Sequence, residues 1–127
     1  MSDELSLSAT LKCTKMKDDA KLTITERVAN LLVDMSGNTI TKGVQSIGTS
    51  KEDLELHTDH STLGWCFLLN IEASGGNYVS FGVDGDTPLG ELKPGEFALF
   101  RISRGQSSIS MKADTDAVKT YFAVFED

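Results

Sequence analysis

Leu5-Ser6-Leu7-Ser8-Ala9-Thr10-Leu11-Lys12-Cys13 alternates apolar and polar residues without a fault over nine positions. A period of two is the signature of a strand with one face turned inward, because successive side chains point to opposite sides of the pleat. A helix would need apolar residues three as well as four apart, and no two apolar residues in this run are three apart.

The same reading extends outward along the chain. Met16 to Asp19 form a polar turn, and Lys21 to Thr25 alternates again. Arg27 to Met35 is ambiguous: Val28, Leu31, Leu32 and Met35 fit a helical stripe as well as a strand, and the Ser36-Gly37-Asn38 turn beyond tips it toward strand. Thr39 to Gly48, interrupted by Gly43, reads as a short edge strand or extended loop. Ser50 to Asp53 could cap one helical turn before Leu54-Glu55-Leu56 alternates. Leu63 to Ala73 contains a continuous apolar run, Trp65 to Leu69, which suits a strand buried on both faces. Ser74-Gly75-Gly76-Asn77 is a hairpin signal, with Tyr78 to Val83 as the returning strand. Asp84 to Pro88 is a turn, followed by a short segment at Leu89 to Leu92. Lys93-Pro94-Gly95-Glu96 has the order of a type II turn. Phe97 to Ile102 reads as a buried strand, Ser107 to Met111 alternates, and Thr120 to Phe125 closes the chain.

Eight to ten short strands, punctuated by turns every 8–12 residues or so, predict an all-β fold. The expectation is one antiparallel β-sandwich domain of jelly-roll type spanning residues 1–127, with no linker or repeat.

Composition narrows the function. The 127 residues are 39% hydrophobic and 24% charged, as in a folded soluble domain. The net charge is −7, and it lies entirely in residues 51–127, where thirteen acids face six bases. No basic stripe is present for nucleic acid. The longest apolar runs are far too short to cross a membrane as a helix. Cys13 and Cys66 have no recognisable spacing and read as buried thiols rather than a bridge. The Met-Ser-Asp-Glu start lacks a basic-then-apolar leader, so folding in the cytoplasm is expected.

Catalytic and metal motifs are weak. His57 and His60, with Glu55 or Cys66 as nominal third ligands, read as loop histidines rather than a metal centre. Asp84-Gly85-Asp86 resembles the start of a calcium loop, but Pro88 and Leu89 break the pattern, so a tight turn is expected there. Gly105-Gln106-Ser107-Ser108 lacks the spacing of a nucleophile elbow. Gly82, Gly85 and Gly90 make no phosphate loop. The acidic pairs Asp18/Asp19, Glu52/Asp53 and Asp114/Asp116 read as solvated turns rather than a hydrolytic couple. The expectation is therefore no enzyme, and no catalytic, cofactor-binding or metal-ligating residue.

The segments Lys42 to Ser50, Gly64-Trp-Cys-Phe-Leu-Leu-Asn70, Asn77-Tyr-Val79, Leu92-Lys-Pro-Gly-Glu-Phe-Ala-Leu-Phe-Arg101 and Tyr121 to Asp127 resemble a family of small β-rich structural proteins of tailed bacteriophages. The resemblance covers roughly residues 40–127. It implies a virion component assembled in the host cytoplasm. Size, acidity and sandwich character suggest capsid decoration (cement), with the major capsid protein or other virion proteins as partner. A closed homo-oligomer, a trimer on a symmetry axis, would suit that role. The alternative is a tail, collar or fibre-associated binding module that recognises glycan through Trp65 or Tyr78.

Overall fold

The computed structural model describes residues 4–83 and 87–127. They are all-β, and the chain divides into two compact units, one ending at Met35 and the other running Ser36–Asp127.

The first unit is a long antiparallel hairpin of β1 (Leu5–Lys17) and β2 (Ala20–Val33). Asp18 and Asp19 turn the corner with φ of 50° and 63°. Positive φ at both central residues defines a type I′ turn, whose twist matches that of the strands it joins, and aspartate tolerates this region better than most residues. The segment from Arg27 onward is strand, not helix. Its helical spacing has a local cause. The register slips between Leu7 and Ala9, so two β2 residues oppose Ser8 alone. At this bulge Asn30 adopts φ 57°, and its N–H donates to Ser8 Oγ at 3.0 Å. The extra residue returns Leu31 to the face of Val28, which mimics a helical step of three.

The second unit is a β-sandwich. One antiparallel sheet has the order β3-β10-β5-β8, formed by Ile40–Ile47, Val118–Glu126, Leu63–Asn70 and Phe97–Arg101. The other has the order β4-β9-β6-β7, formed by Glu52–Asp53, Ser110–Ala113, Val79–Gly82 and Gly90–Leu92. β3 is regular rather than interrupted, and it does lie at an edge. Glu52 and Asp53 pair with Met111 and Ser110 instead of capping a helical turn.

Ser74 to Asn77 is a crossover, not a hairpin. β5 pairs with β10 and β8, whereas β6 pairs with β7 and β9 in the opposite sheet. Gly75 supplies the positive φ that the turn requires, at 88°. Lys93 to Glu96 turns as its residues imply, with Gly95 at φ 84° and the Glu96 N–H donating to the Lys93 carbonyl at 2.9 Å.

The core fills the space between the two sheets. Ile47, Cys66, Leu68, Val118, Phe122 and Val124 face Val79, Phe81, Leu92, Met111 and Ala113. Phe81 and Phe100, one from each sheet, stack with centroids 5.6 Å apart.

Two polar residues are buried where the strands change sheets. Asn70 has no exposed surface; its Nδ2 donates to the carbonyls of Asn77 and Leu92 at 3.1 and 3.0 Å, and its Oδ1 accepts from the Glu72 N–H. Its backbone also exchanges bonds with Gly95 and Glu96. Asn70 therefore ties β5 to two crossovers at once. Glu126, 6% exposed, accepts from the N–H groups of Asn38, Thr39 and Ser61 and from Ser61 Oγ. These donors, led by the Ser61 N–H, outweigh burial and hold its carboxyl below the ordinary glutamate range. The Gly37 N–H on the Asp127 carbonyl, and Arg101 paired with Asp127 at 2.7 Å, complete this clasp.

Candidate interaction surfaces

The apolar run of β5 does not bury both faces. Cys66 and Leu68 enter the core, while Trp65, Phe67 and Leu69 point outward and stay half-buried. The neighbouring strands add to this outer face in register. Tyr121 lies between Val44 and Leu69, and Leu69 opposite Phe97. One row over, Phe67 lies between Ala123 and Leu99. Ile40 pairs with Phe125, and Trp65 with Arg101. Phe97 is 61% exposed and Val44 57%. The rings of Phe97 and Tyr121 lie 6.0 and 6.2 Å from that of Phe67. The outcome is a sheet with aliphatic and aromatic residues on both sides, one side closed by the sandwich and the other open. Contiguous exposed apolar patches are uncommon on monomeric soluble proteins, and this one is bordered by Lys42, Lys119 and Arg101 on the same face.

The hairpin presents a second such surface. Its cross-strand pairs Leu5–Val33, Leu7–Leu31, Ala9–Val28 and Cys13–Ile24 share one face, with Leu11 opposite Glu26 and Lys15 opposite Leu22. Pairs on the other face are mostly polar and basic, Thr10–Arg27, Lys12–Thr25 and Thr14–Thr23, with Leu32 opposite Ser6 and Met16 opposite Lys21. The apolar face is open to solvent, with Leu11 at 71% and Val28 at 57%. Two strands have no second layer of their own on which to bury it.

The sequence-derived candidates fall elsewhere. His57 and Asp59 are exposed, 3.6 Å apart. His60 is more than a solvated loop residue. Its Nε2 meets Thr41 Oγ1 at 2.7 Å, its Nδ1 is buried without a partner, and burial holds its pKa below the ordinary histidine value. Cys66 lies in the core, where burial pushes its thiol up to about 12, and Glu55 is exposed. Among the described residues no three His, Cys, Asp or Glu side chains converge to hold a metal ion.

Asp84-Gly85-Asp86 lies outside the described residues. Several of the other acids have local structural work. Glu52 accepts from Gln45 and from the Gly48 N–H, Asp114 from the Tyr78 N–H, and Asp116 from the Ala117 N–H. Trp65 is a strand residue whose indole N–H is buried. Tyr78 lines a shallow polar cavity of about 390 Å³ with Lys93 5.7 Å from its ring centroid. An apolar cavity of about 430 Å³ is lined by Phe81, Pro88, Leu89, Phe100, Ile102 and Ile109 among others.

Both apolar faces escaped the sequence reading for the same reason: alternation says that one side of a strand is apolar, not what covers it. The signal available was the unbroken run Trp65 to Leu69, which implies an apolar second face. Comparison with protein-family models, with curated proteins and with solved structures finds no match.

Proposed function

We propose that this chain is an assembly protein of a bacteriophage virion, a decoration or cement protein that binds and stabilises the lattice of the major capsid protein. The observation that carries this reading is the hairpin: a two-stranded arm with a largely apolar, solvent-facing side is suited to being covered by another component of an assembly. Strand order supports it. Two four-stranded sheets of order β3-β10-β5-β8 and β4-β9-β6-β7, connected by crossovers between sheets, are what a jelly roll requires, and capsid proteins use that architecture widely. The phage-like segments named above run through β5, β8 and β10, the strands that build the open aromatic face. Such a protein acts without chemistry. It folds in the cytoplasm, stays soluble through its negative charge, and then buries apolar surface at a junction.

Copy number in purified virions, measured by quantitative mass spectrometry against the major capsid protein, tests the proposal. The expected result is hundreds of copies, at parity with the capsid protein or a simple fraction of it. A dozen or fewer would move the chain to the tail or collar, and its absence from particles would overturn the virion role.

A further inference from the structure

We propose that residues 57–61 are a proton-released latch: a second proton on the His60 ring frees this segment from β3 and uncovers Leu54, Leu56 and Leu63 at the end of the sandwich.

The way the segment is held is the first argument. Its flanks are fixed through backbone at two points, the Leu54 N–H donating to the Ile109 carbonyl and the Asp127 N–H to the Thr62 carbonyl, each at 2.9 Å. Between these points side chains hold it. The Glu55 N–H donates to Gln45 Oε1, the His57 N–H to Thr41 Oγ1 at 3.0 Å, and the Ser61 N–H and hydroxyl to Glu126. Thr39 Oγ1 reaches the Asp59 carbonyl at 3.5 Å. Among the described residues no strand ladder has to break for 57–61 to lift. Segments held this way open locally at far lower cost than a core unfolds.

Proton positions on His60 are the second argument. Thr41 Oγ1 has two lone pairs: one accepts the His57 N–H, and the other faces His60 Nε2 at 2.7 Å. Assigned from these partners, the single proton of the neutral ring sits on Nε2. The reverse arrangement would already bury an unpaired N–H at Nδ1. Nδ1 is thus a bare lone pair, buried and without a partner. A second proton goes there and becomes an enclosed donor with no acceptor, on a ring that now also carries charge. Lifting the segment returns that donor to water.

The surrounding groups set the balance. Glu126 on β10 attracts a charged ring and His57 opposes one, but burial is the largest influence and holds His60 below the ordinary histidine value. Asp59 faces His57, at 3.6 Å. Asp53 of β4 lines the same cavity as His60, about 380 Å³, together with the three leucines. β3 contributes the neutral Thr41.

Amide exchange by NMR on the full chain tests this, read at His57 and Ser61, whose N–H bonds belong to the latch. Both should be protected at least about a hundredfold less than amides within β10, because the segment opens without unfolding. From about pH 7.5 to about pH 5.5 their protection should fall severalfold, with about tenfold as the ceiling for an open-state pKa of 6.5. Glu126 stays ionised over that range, so its bonds to Ser61 do not titrate. His60→Gln keeps an N–H for Thr41 but takes no second proton, and should abolish the fall. Where that variant does not fold, the ring titration of His60 in the wild type decides: a midpoint below 6.5 supports the latch, and one at or above 6.5 overturns it. Protection equal to that of β10, protection that ignores pH, or an undiminished fall in His60→Gln would each overturn the proposal.

Discussion

Glu126 is the residue on which the end of the sandwich turns. Four donors converge on a buried carboxylate, and protonating it would remove acceptor capacity that they share. Because its folded pKa is lowered, the stability it contributes is present above the ordinary glutamate value of 4.5 and is lost as pH falls below it. His60 acts in the same direction at higher pH. Burial favours its neutral form, so stability begins to fall as pH drops below 6.5, where the unfolded chain takes up the proton first. The unfolding free energy, measured by urea titration at a series of pH values, should therefore fall in two steps as pH is lowered. His60→Gln is expected to flatten the upper one and Glu126→Gln the lower one, the latter also lowering stability at neutral pH. Gly37→Ala should resemble Glu126→Gln, because a Cβ at Gly37 would collide with the Glu126 carboxyl. Asn70→Ala is a separate test. It leaves the carbonyls of Asn77 and Leu92 unpaired in a buried site, at a cost of about 1–3 kcal/mol by urea titration.

At the scale of elements, the alternation that begins at Leu5 marks a strand correctly, and the turn residues at Lys93 to Glu96 specify their own geometry. Pairing partners were beyond it. Ser74 to Asn77 carries a hairpin's chemistry yet joins two sheets, because a local turn constrains the chain direction and not which edge receives it. Arg27 to Met35 reads as strand only weakly, though strand is what it forms as far as Val33, and for a more specific reason. One extra residue opposite Ser8 shifts the phase of β2, and periodicity cannot distinguish a bulge from a helical step. This bulge is itself testable. Asn30 sits at φ 57° and donates to Ser8 Oγ. Asn30→Val, β-branched and ill-suited to positive φ, is expected to destabilise the hairpin by about 1–2 kcal/mol, while Asn30→Gly is tolerated. Amide hydrogen exchange within β1 and β2 would report the difference, with the core amides of β10 unaffected. The candidate surfaces were half legible. Apolar residues on each strand were plain, but whether a second layer covers them depends on how many sheets stack, which no single strand records.

For the whole molecule, the two cysteines separate local from global behaviour. Cys13 lies on an exposed face, so its labelling follows whatever covers that face. Cys66 lies between the sheets with a thiol pushed up to about 12, so it reacts only when the sandwich opens. With a stability of at least about 5 kcal/mol, expected for a domain of this kind, Cys66 should label more than a thousandfold slower than Cys13. Met111, fully buried between the sheets, links this rate to packing. Met111→Ala removes a large side chain from the core and should cost about 3 kcal/mol. Labelling of Cys66 should then accelerate by roughly 150-fold, since 1.4 kcal/mol is a factor of ten. Labelling of Cys13 should not change, because the hairpin contributes nothing to that core cluster. Mass spectrometry of timed maleimide reactions resolves both thiols in one experiment. Acceleration of both sites together would mean that hairpin and sandwich open as one unit, and the separate treatment of the two would have to be abandoned.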